Sequence, residues 1–431
     1  MKEALFVYLY IIGMGTVGIF KTPFFNNKLQ IPEIIFIIAS TTLLYRYFTQ
    51  TKRRILVHFN IIDVSVLIFI LIITAPTVAV NDLRSWIQYM GLMYLWIVML
   101  YVKHYILNTN QPGSNLQMIS HAFIHLGVLC SILALLGGIL WCFGIDSILI
   151  QNRLSYLYFG SCIRLQAAAG DPNMLASLIL ISMFFTQYNL IASNRSKFKW
   201  AWLTQWVSFI LTLSKTVLLS TILLLVKKTN RIKKTIVSSS IILLLMITHF
   251  FISTKPHLDP SINDGGSFVS LSPWVSVNGI YIYPTSYSIN KYISIYAFLA
   301  NPLTGIGLDM QEDYSCQMKK HGKYPENFSC LDSHCTYLAI LAETGLFGFA
   351  AFIWLIWIIY KCCSILAYGK RFKSQKLEMF KNTIILVFLF ILFEGLILES
   401  YTFRQNWVLL GVLSALYDLS LRKDLIQIGN A

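Results

Sequence analysis

Ser333 to Phe352 reads SHCTYLAILAETGLFGFAAF, a polar segment that turns into an apolar run. It sets His334 at the entrance of a helix-length stretch, with Glu343 nine residues on and glycines at 345 and 348. An ionisable residue at the mouth of such a segment is where chemistry can meet a membrane-bound substrate.

Outward from that stretch the composition stays apolar. Hydrophobic residues make up 56% of the 431, charged residues 12%, and the mean hydropathy is +0.64. A soluble domain with a wet surface does not have that balance. A hydrocarbon core about 30 Å thick needs roughly 20 apolar residues per helical span, with every backbone amide satisfied internally. The expected fold is therefore an all-α, polytopic helical bundle. Twelve spans are read at 4–20, 31–48, 60–80, 86–107, 117–143, 173–192, 199–214, 216–226, 235–253, 338–360, 382–399 and 406–420. The seventh and eighth are short and parted only by Ser214-Lys215, so one long broken helix is the alternative there.

Charge supplies an orientation. With the N-terminus inside, most of the 34 lysines and arginines fall in cytoplasmic segments, among them Arg46, Lys52–Arg54, Lys227–Lys234 and Lys370–Lys381. That is the bias expected of cytoplasmic loops. Both termini are read as cytoplasmic, and the first span, which no small-x-small cleavage site follows, as retained. The bias also accounts for most of the net charge of +15, which removes the argument for nucleic acid as a partner.

Two outer segments, 144–172 and 254–337, are too long to be simple connections. The chain divides accordingly into N-terminal spans (1–143), a core with its large loop (144–365) and C-terminal spans (366–431). Within the loop, Lys291–Ala300 (KYISIYAFLA) reads as a short amphipathic helix stopped by the turn Asn301–Gly307 (NPLTGIG). Polar turns such as Asn263–Gly266 precede it. Cys316 and Cys330 share the loop, and a disulfide between them would add roughly 3 kcal/mol by closing a short loop; two free thiols are the other reading. No cysteine and histidine spacing resembles a zinc site, so no metal is expected.

The run HCTYLAILAETGLFGFAAF, with NPLTGIG and a large loop before it, resembles the shared domain of the O-antigen ligase and O-antigen polymerase superfamily. Arg164–Ala176, RLQAAAGDPNMLA, is similar to that family's arginine, glycine and Pro-Asn motif at the mouth of a helix. Leu211–Lys215, LTLSK, is similar to its Thr-x-Ser-Arg motif. The likeness covers about residues 150 to 365. Two positions depart from the pattern: Lys215 and Lys291 stand where arginine is usual. Charge is kept, while the planar fork that grips phosphate with two parallel hydrogen bonds is lost.

The resemblance implies a membrane-embedded, metal-independent glycosyltransferase of the GT-C type in the bacterial inner membrane, its active site facing the periplasm and no cofactor required. The donor it implies is a glycan on undecaprenyl diphosphate. The acceptor is a second glycan in a polymerase, or lipid A-core in a ligase; membrane lipids and a chain-length regulator protein are the remaining partners. Cations in a poorly hydrated site stabilise a departing diphosphate, which assigns Arg164, Lys215 and Lys291 to it. An imidazole near its ordinary pKa suits a base that takes the acceptor hydroxyl's proton; His334 fills that role, or holds the hydroxyl in place.

Each residue has a plainer reading. His334 could be a helix cap, Arg164 a snorkelling interfacial side chain, and Asp171 and Asn173 the cap of the span that Pro172 opens. Nine residues along one continuous helix put Glu343 on the face opposite His334, which favours a packing or hydrogen-bonding role for it. Gly345 and Gly348 read as permitting close helix approach. Asp63 and Glu394 read as internal hydrogen-bond partners in preference to a proton relay. A lipid-linked oligosaccharide flippase or other transporter is the alternative of another class. It should show related halves with broken helices, and no such symmetry is visible about the 254–337 loop.

Overall fold

The computed structural model describes residues 2–16, 30–49, 59–108, 111–145, 147–157, 160–193, 197–212, 214, 252–253, 275–277, 280–284, 286–322, 330, 332–369 and 372–422. The span read at 216–226, residues 235–251 of the span read at 235–253, Lys215 and the Asn263–Gly266 turn lie outside them; the last two residues of that second span, Ile252 and Ser253, are a short strand where helix had been expected.

The chain is mostly helical. In order come α1 (Lys2–Gly13), α2 (Ile31–Thr49), α3 (Ile61–Ile72), α4 (Thr74–Val80), α5 (Leu83–Leu107), α6 (Pro112–Cys142), α7 (Pro172–Ser193), α8 (Lys197–Leu211), α9 (Ser286–Ala300), α10 (Gln311–Lys320), α11 (Thr336–Tyr368), α12 (Gln375–Glu394) and α13 (Arg404–Ser420). Among the described residues five segments are long and apolar enough to cross a membrane: Ile61–Val80, Leu83–Leu107, Pro112–Cys142, Pro172–Ala192 and Thr336–Tyr368. That supports a membrane-embedded helical bundle. Short strands add to the all-α expectation. β1 (Ile150–Leu157) and β2 (Gly160–Leu165) form an antiparallel hairpin with Gln151 opposite Arg164, and β3 (Ile252–Ser253), β4 (Val275–Val277) and β5 (Ile280–Pro284) pair in the order β3-β5-β4.

Apolar side chains drawn from nearly every helix form one continuous core, and polar contacts set its register. Gly127 of α6 lets Ser182 of α7 come so close that a Cβ at 127 would lie 2.1 Å from the serine Oγ. Gln205 of α8 then donates to Ser182 Oγ at 2.8 Å and accepts from Thr186 at 3.0 Å, while Asn189 donates to Ser120 at 2.7 Å. Small residues with interhelical hydrogen bonds are how helices associate where lipid gives no hydrophobic drive. At one end of the bundle the buried Lys103 ammonium meets Asp63 and, at 2.8 Å, Asp418. Asp63 also accepts from Ser414 at 2.7 Å. These bonds tie α3, α5 and α13 together, so Asp63 is an internal partner as expected.

The largest departure from expectation is in α11, which is two helices joined at a break. Gly345 has φ 64° and ψ −164°, a conformation essentially reserved for glycine. The break frees backbone groups, and the turn after α9 takes them. Ile306 N donates to Ala342 O at 3.0 Å, Gly307 N to Glu343 O at 3.0 Å, and Leu346 N to Pro302 O at 2.8 Å. Gly345 therefore serves the docking of the NPLTGIG turn, where close helix approach had been expected. Gly348 does face a neighbouring segment, with Ile73, between α3 and α4, at 3.4 Å from a Cβ built there. α12 likewise stops at Glu394, five residues short of the expected 382–399, and the chain then turns through 395–403.

Candidate functional site

Arg164 stands near the end of β2. The hairpin is pinned at that point by Ala167 N donating to Leu149 O at 3.0 Å, and Ala167–Ala169 bury against the core as one 3-10 turn. Gly170, at φ 82°, then reverses the chain into α7. Asp171 caps that helix through Oδ1, which accepts from Asn173 N at 2.7 Å and Met174 N at 3.1 Å, and Pro172 occupies the first turn where it loses no bond. The local sequence thus places Asn173 on the first turn of α7, facing back to the arginine.

There two separate motifs meet. The Arg164 guanidinium donates to Asn173 Oδ1 at 2.9 Å and to Thr212 O at 3.1 Å, and Ser214 Oγ donates to the same Asn173 Oδ1 at 2.9 Å. Arg164 is therefore fixed, which excludes a freely snorkelling side chain. Asn173 is the hub, and it does more than cap. Lys215, outside the described residues, follows Ser214 directly in the chain.

A second group surrounds the start of α11. Ser333 Oγ accepts from Cys335 N at 3.0 Å and donates to Cys335 O at 2.7 Å, a tight turn that leaves His334 between them at φ 49°. Positive φ is uncommon for a non-glycine residue, though histidine is enriched among the exceptions. The first turn of α11 is then clamped to the 395–403 segment. Thr336 N donates to Gly395 O at 2.8 Å and Leu398 O at 3.1 Å, and Thr336 Oγ1 donates to Leu398 O at 2.8 Å. Lys291 of α9 reaches the same segment, with Nζ donating to Leu396 O at 3.4 Å, and lies beside the Cys335 thiol. Burial pushes its ammonium below the usual lysine range.

The two groups share one end of the bundle. Ser177, one turn beyond Asn173 on α7, faces Glu394 at the end of α12, and Glu394 leads directly into Gly395 and Leu396. The α7–α12 contact continues below through Phe184 and Phe390, with ring centroids 6.3 Å apart. Of the sequence-predicted residues, Arg164 and Asn173 meet directly, while Lys291 sits beside the residue that follows His334.

Glu343 is buried, and its Oε2 accepts from the Tyr401 hydroxyl at 2.9 Å, the hydrogen-bonding role expected of it. Sequence reasoning missed Tyr401, and it missed the carboxyls of Asp309, Asp332 and Glu399 that lie near Glu343 or one another. It also missed Arg84, whose guanidinium holds Asp309 at 3.0 Å, Glu312 at 2.8 Å and Asp313 at 3.2 Å and so fastens α10 to the bundle. Five acids from 309 to 332 beside an unmatched outer arginine were the available signal. Cys316 and Cys330 are joined as a disulfide, with Cα atoms 5.2 Å apart. Among the described residues no group of three or more histidine, cysteine or acidic side chains is placed to hold a metal ion.

Below Thr336 and Gly395 an apolar slot with a cavity volume of about 100 Å³ runs between α3, α11, α12 and α13, lined by Phe69, Phe352, Phe388 and Trp407 and rimmed by Ser400, Tyr401 and Asn406. No family model and no curated protein matches the chain.

Proposed function

We propose that the chain is a membrane glycosyltransferase that moves glycan from an undecaprenyl-diphosphate donor, polymerising O-antigen, capsule or exopolysaccharide repeat units on the periplasmic face of the inner membrane. The observation that carries this reading is the hydrogen-bonded union of Arg164, Asn173 and Ser214, which the sequence holds 9 and 41 residues apart. A cation held by two hydrogen bonds is preorganised for an anion and costs no reorganisation when charge develops.

In this reading Arg164 and Lys215 hold the diphosphate, and Lys291 adds charge from the loop side. The bond from the anomeric carbon to the phosphate oxygen breaks with its electron pair on the diphosphate. The acceptor hydroxyl oxygen bonds to that carbon, and its proton passes to the His334 imidazole. The clamped Thr336 turn fixes where the imidazole stands. The family resemblance of four motifs in order agrees with this chemistry. The transporter reading gains one observation, the break in α11. Yet the freed carbonyls of Ala342 and Glu343 are already taken by loop amides, whereas a transported ion would need such groups for itself.

The test is the lipopolysaccharide ladder of a deletion strain complemented with His334→Ala or Arg164→Ala. Either variant should reach the membrane and produce no long chains. A polymerase defect leaves core with one repeat unit. A ligase defect leaves bare core and accumulated lipid-linked polymer, the result that would move the reading to O-antigen ligase. A parental ladder from both variants would refute the proposal.

A further inference from the structure

Between Asn301 and His334 the chain is fastened to the bundle at successive points. The 301–307 turn docks in the break of α11. Leu308 N then donates to Ser85 Oγ at the start of α5, at 3.1 Å, and the neighbouring Arg84 holds Asp309, Glu312 and Asp313. α10 is braced on another side by α9, where the buried Gln311 donates to Ser294 and Tyr314 and Met318 pack on Ile289 and Ile293. The helix so held carries Cys316, and its disulfide reaches Cys330. Ser333 follows three residues later, within about 10 Å of chain.

His334 depends on that support. At φ 49° it occupies a left-handed conformation that a residue other than glycine keeps only where its surroundings over-determine it. The bonds between Ser333 Oγ and the Cys335 backbone set the shape of the turn, but they leave its place open. The exit of the turn is held by the Thr336 clamp on the 395–403 segment. Its entrance is held by α10 through Cys330. A turn held at one end can pivot, and one held at both ends cannot.

Resting on the glycosyl-transfer reading, we infer that Arg84 and the Cys316–Cys330 disulfide are positioning residues for that reaction, carrying the rigidity of α5 and α9 through α10 to the turn that presents His334. Neither touches substrate. What they set is the distance and direction from the imidazole to the acceptor hydroxyl, where a misplacement of about 1 Å costs about 100-fold in rate. Cys316 and Cys330 lie outside the membrane-crossing segments and outside the apolar core. Breaking their bond therefore leaves the bundle standing and loosens the turn.

The experiment measures initial rates in detergent with lipid-linked oligosaccharide extracted from the host cells, per amount of monodisperse folded protein. The parent is compared before and after dithiothreitol, with release of the two thiols checked by mass after alkylation. Cys316→Ser/Cys330→Ser, Arg84→Met, Arg84→Lys and His334→Ala run beside it. Reduction should lower kcat about 10- to 100-fold with KM within about threefold. The acid limb that His334 gives the pH–rate profile should flatten, because the residual rate no longer passes through the base. The double serine variant should show the lowered rate from the start and lose nothing more to dithiothreitol. Arg84→Met should act as reduction does, and Arg84→Lys, which keeps the charge without the fork, should recover part of kcat. Reduction of folded parent covers the case in which a variant does not fold. Parental kcat in the reduced protein or in Arg84→Met, or a fall that keeps the acid limb, overturns this inference; an inactive His334→Ala beside it leaves the glycosyltransferase reading standing. A parent protein that transfers nothing takes down both.

Discussion

Replacing Gly345 with alanine should undock the outer loop from the bundle. At φ 64° and ψ −164° an alanine costs about 1–3 kcal/mol in backbone strain alone. Its Cβ would also lie 2.4 Å from Leu303 O and 2.7 Å from Gly305 N, backbone atoms that no rotamer change can move aside. Relief requires the Pro302–Gly307 turn to lift away or the helix to straighten. Either route gives up the three hydrogen bonds from Ile306 N, Gly307 N and Leu346 N, each worth about 0.5–1.5 kcal/mol net. The sum is a loss of about 2.5–7.5 kcal/mol. Two measurements follow it: denaturant unfolding of the detergent-solubilised protein, and the rate of thiol labelling of a Leu303→Cys reporter with and without Gly345→Ala. The reporter should label faster in the alanine background, and the unfolding midpoint should drop. An unchanged midpoint with unchanged labelling would refute the reasoning, because a continuous helix at 345 would then tolerate the methyl group.

Lys103→Met should destabilise the opposite end of the bundle by about 3–5 kcal/mol, because it strands the Asp63 carboxylate in a dry core. The double variant Asp63→Asn/Lys103→Met should recover much of that loss, and a double variant no better than the single one would count against the ion pair as its source. Lys291 carries a pH prediction: its ammonium is the form that attracts phosphate, and burial lowers its pKa. Transfer should therefore decline on the alkaline side below the ordinary lysine range. Lys291→Arg, always charged, should carry the rate to higher pH, and coincident alkaline limbs for the two proteins would remove Lys291 from the site.

Much of the bundle could be read from the chain. An apolar run of helix length admits few fates in a membrane, so α5, α6, α7 and α13 begin and end close to where hydropathy put them. Asp171 and Pro172 announced the start of α7 because capping is a local affair. What pattern could not register was the interruption of α11. Hydropathy runs straight through Gly345, since a glycine that breaks a helix and one that lets helices touch look alike until a partner occupies the gap. The same limit hid Tyr401 and Arg84, whose partners are 58 and at least 225 residues away in the chain.

By itself the sequence determined that this is a membrane-embedded helical protein, and it marked Arg164, Asn173, Lys215, Lys291 and His334 as residues that apolar surroundings would not hold without cause. Tertiary structure alone decided their company. It joined Arg164 to Asn173 and Ser214, set Lys291 beside the turn of His334 and seated the 301–307 loop in a broken helix. Hydropathy and capping act over one or two helical turns, which the order of residues encodes directly. Hydrogen bonds across the bundle depend on which helices become neighbours, and that follows from packing the whole core at once.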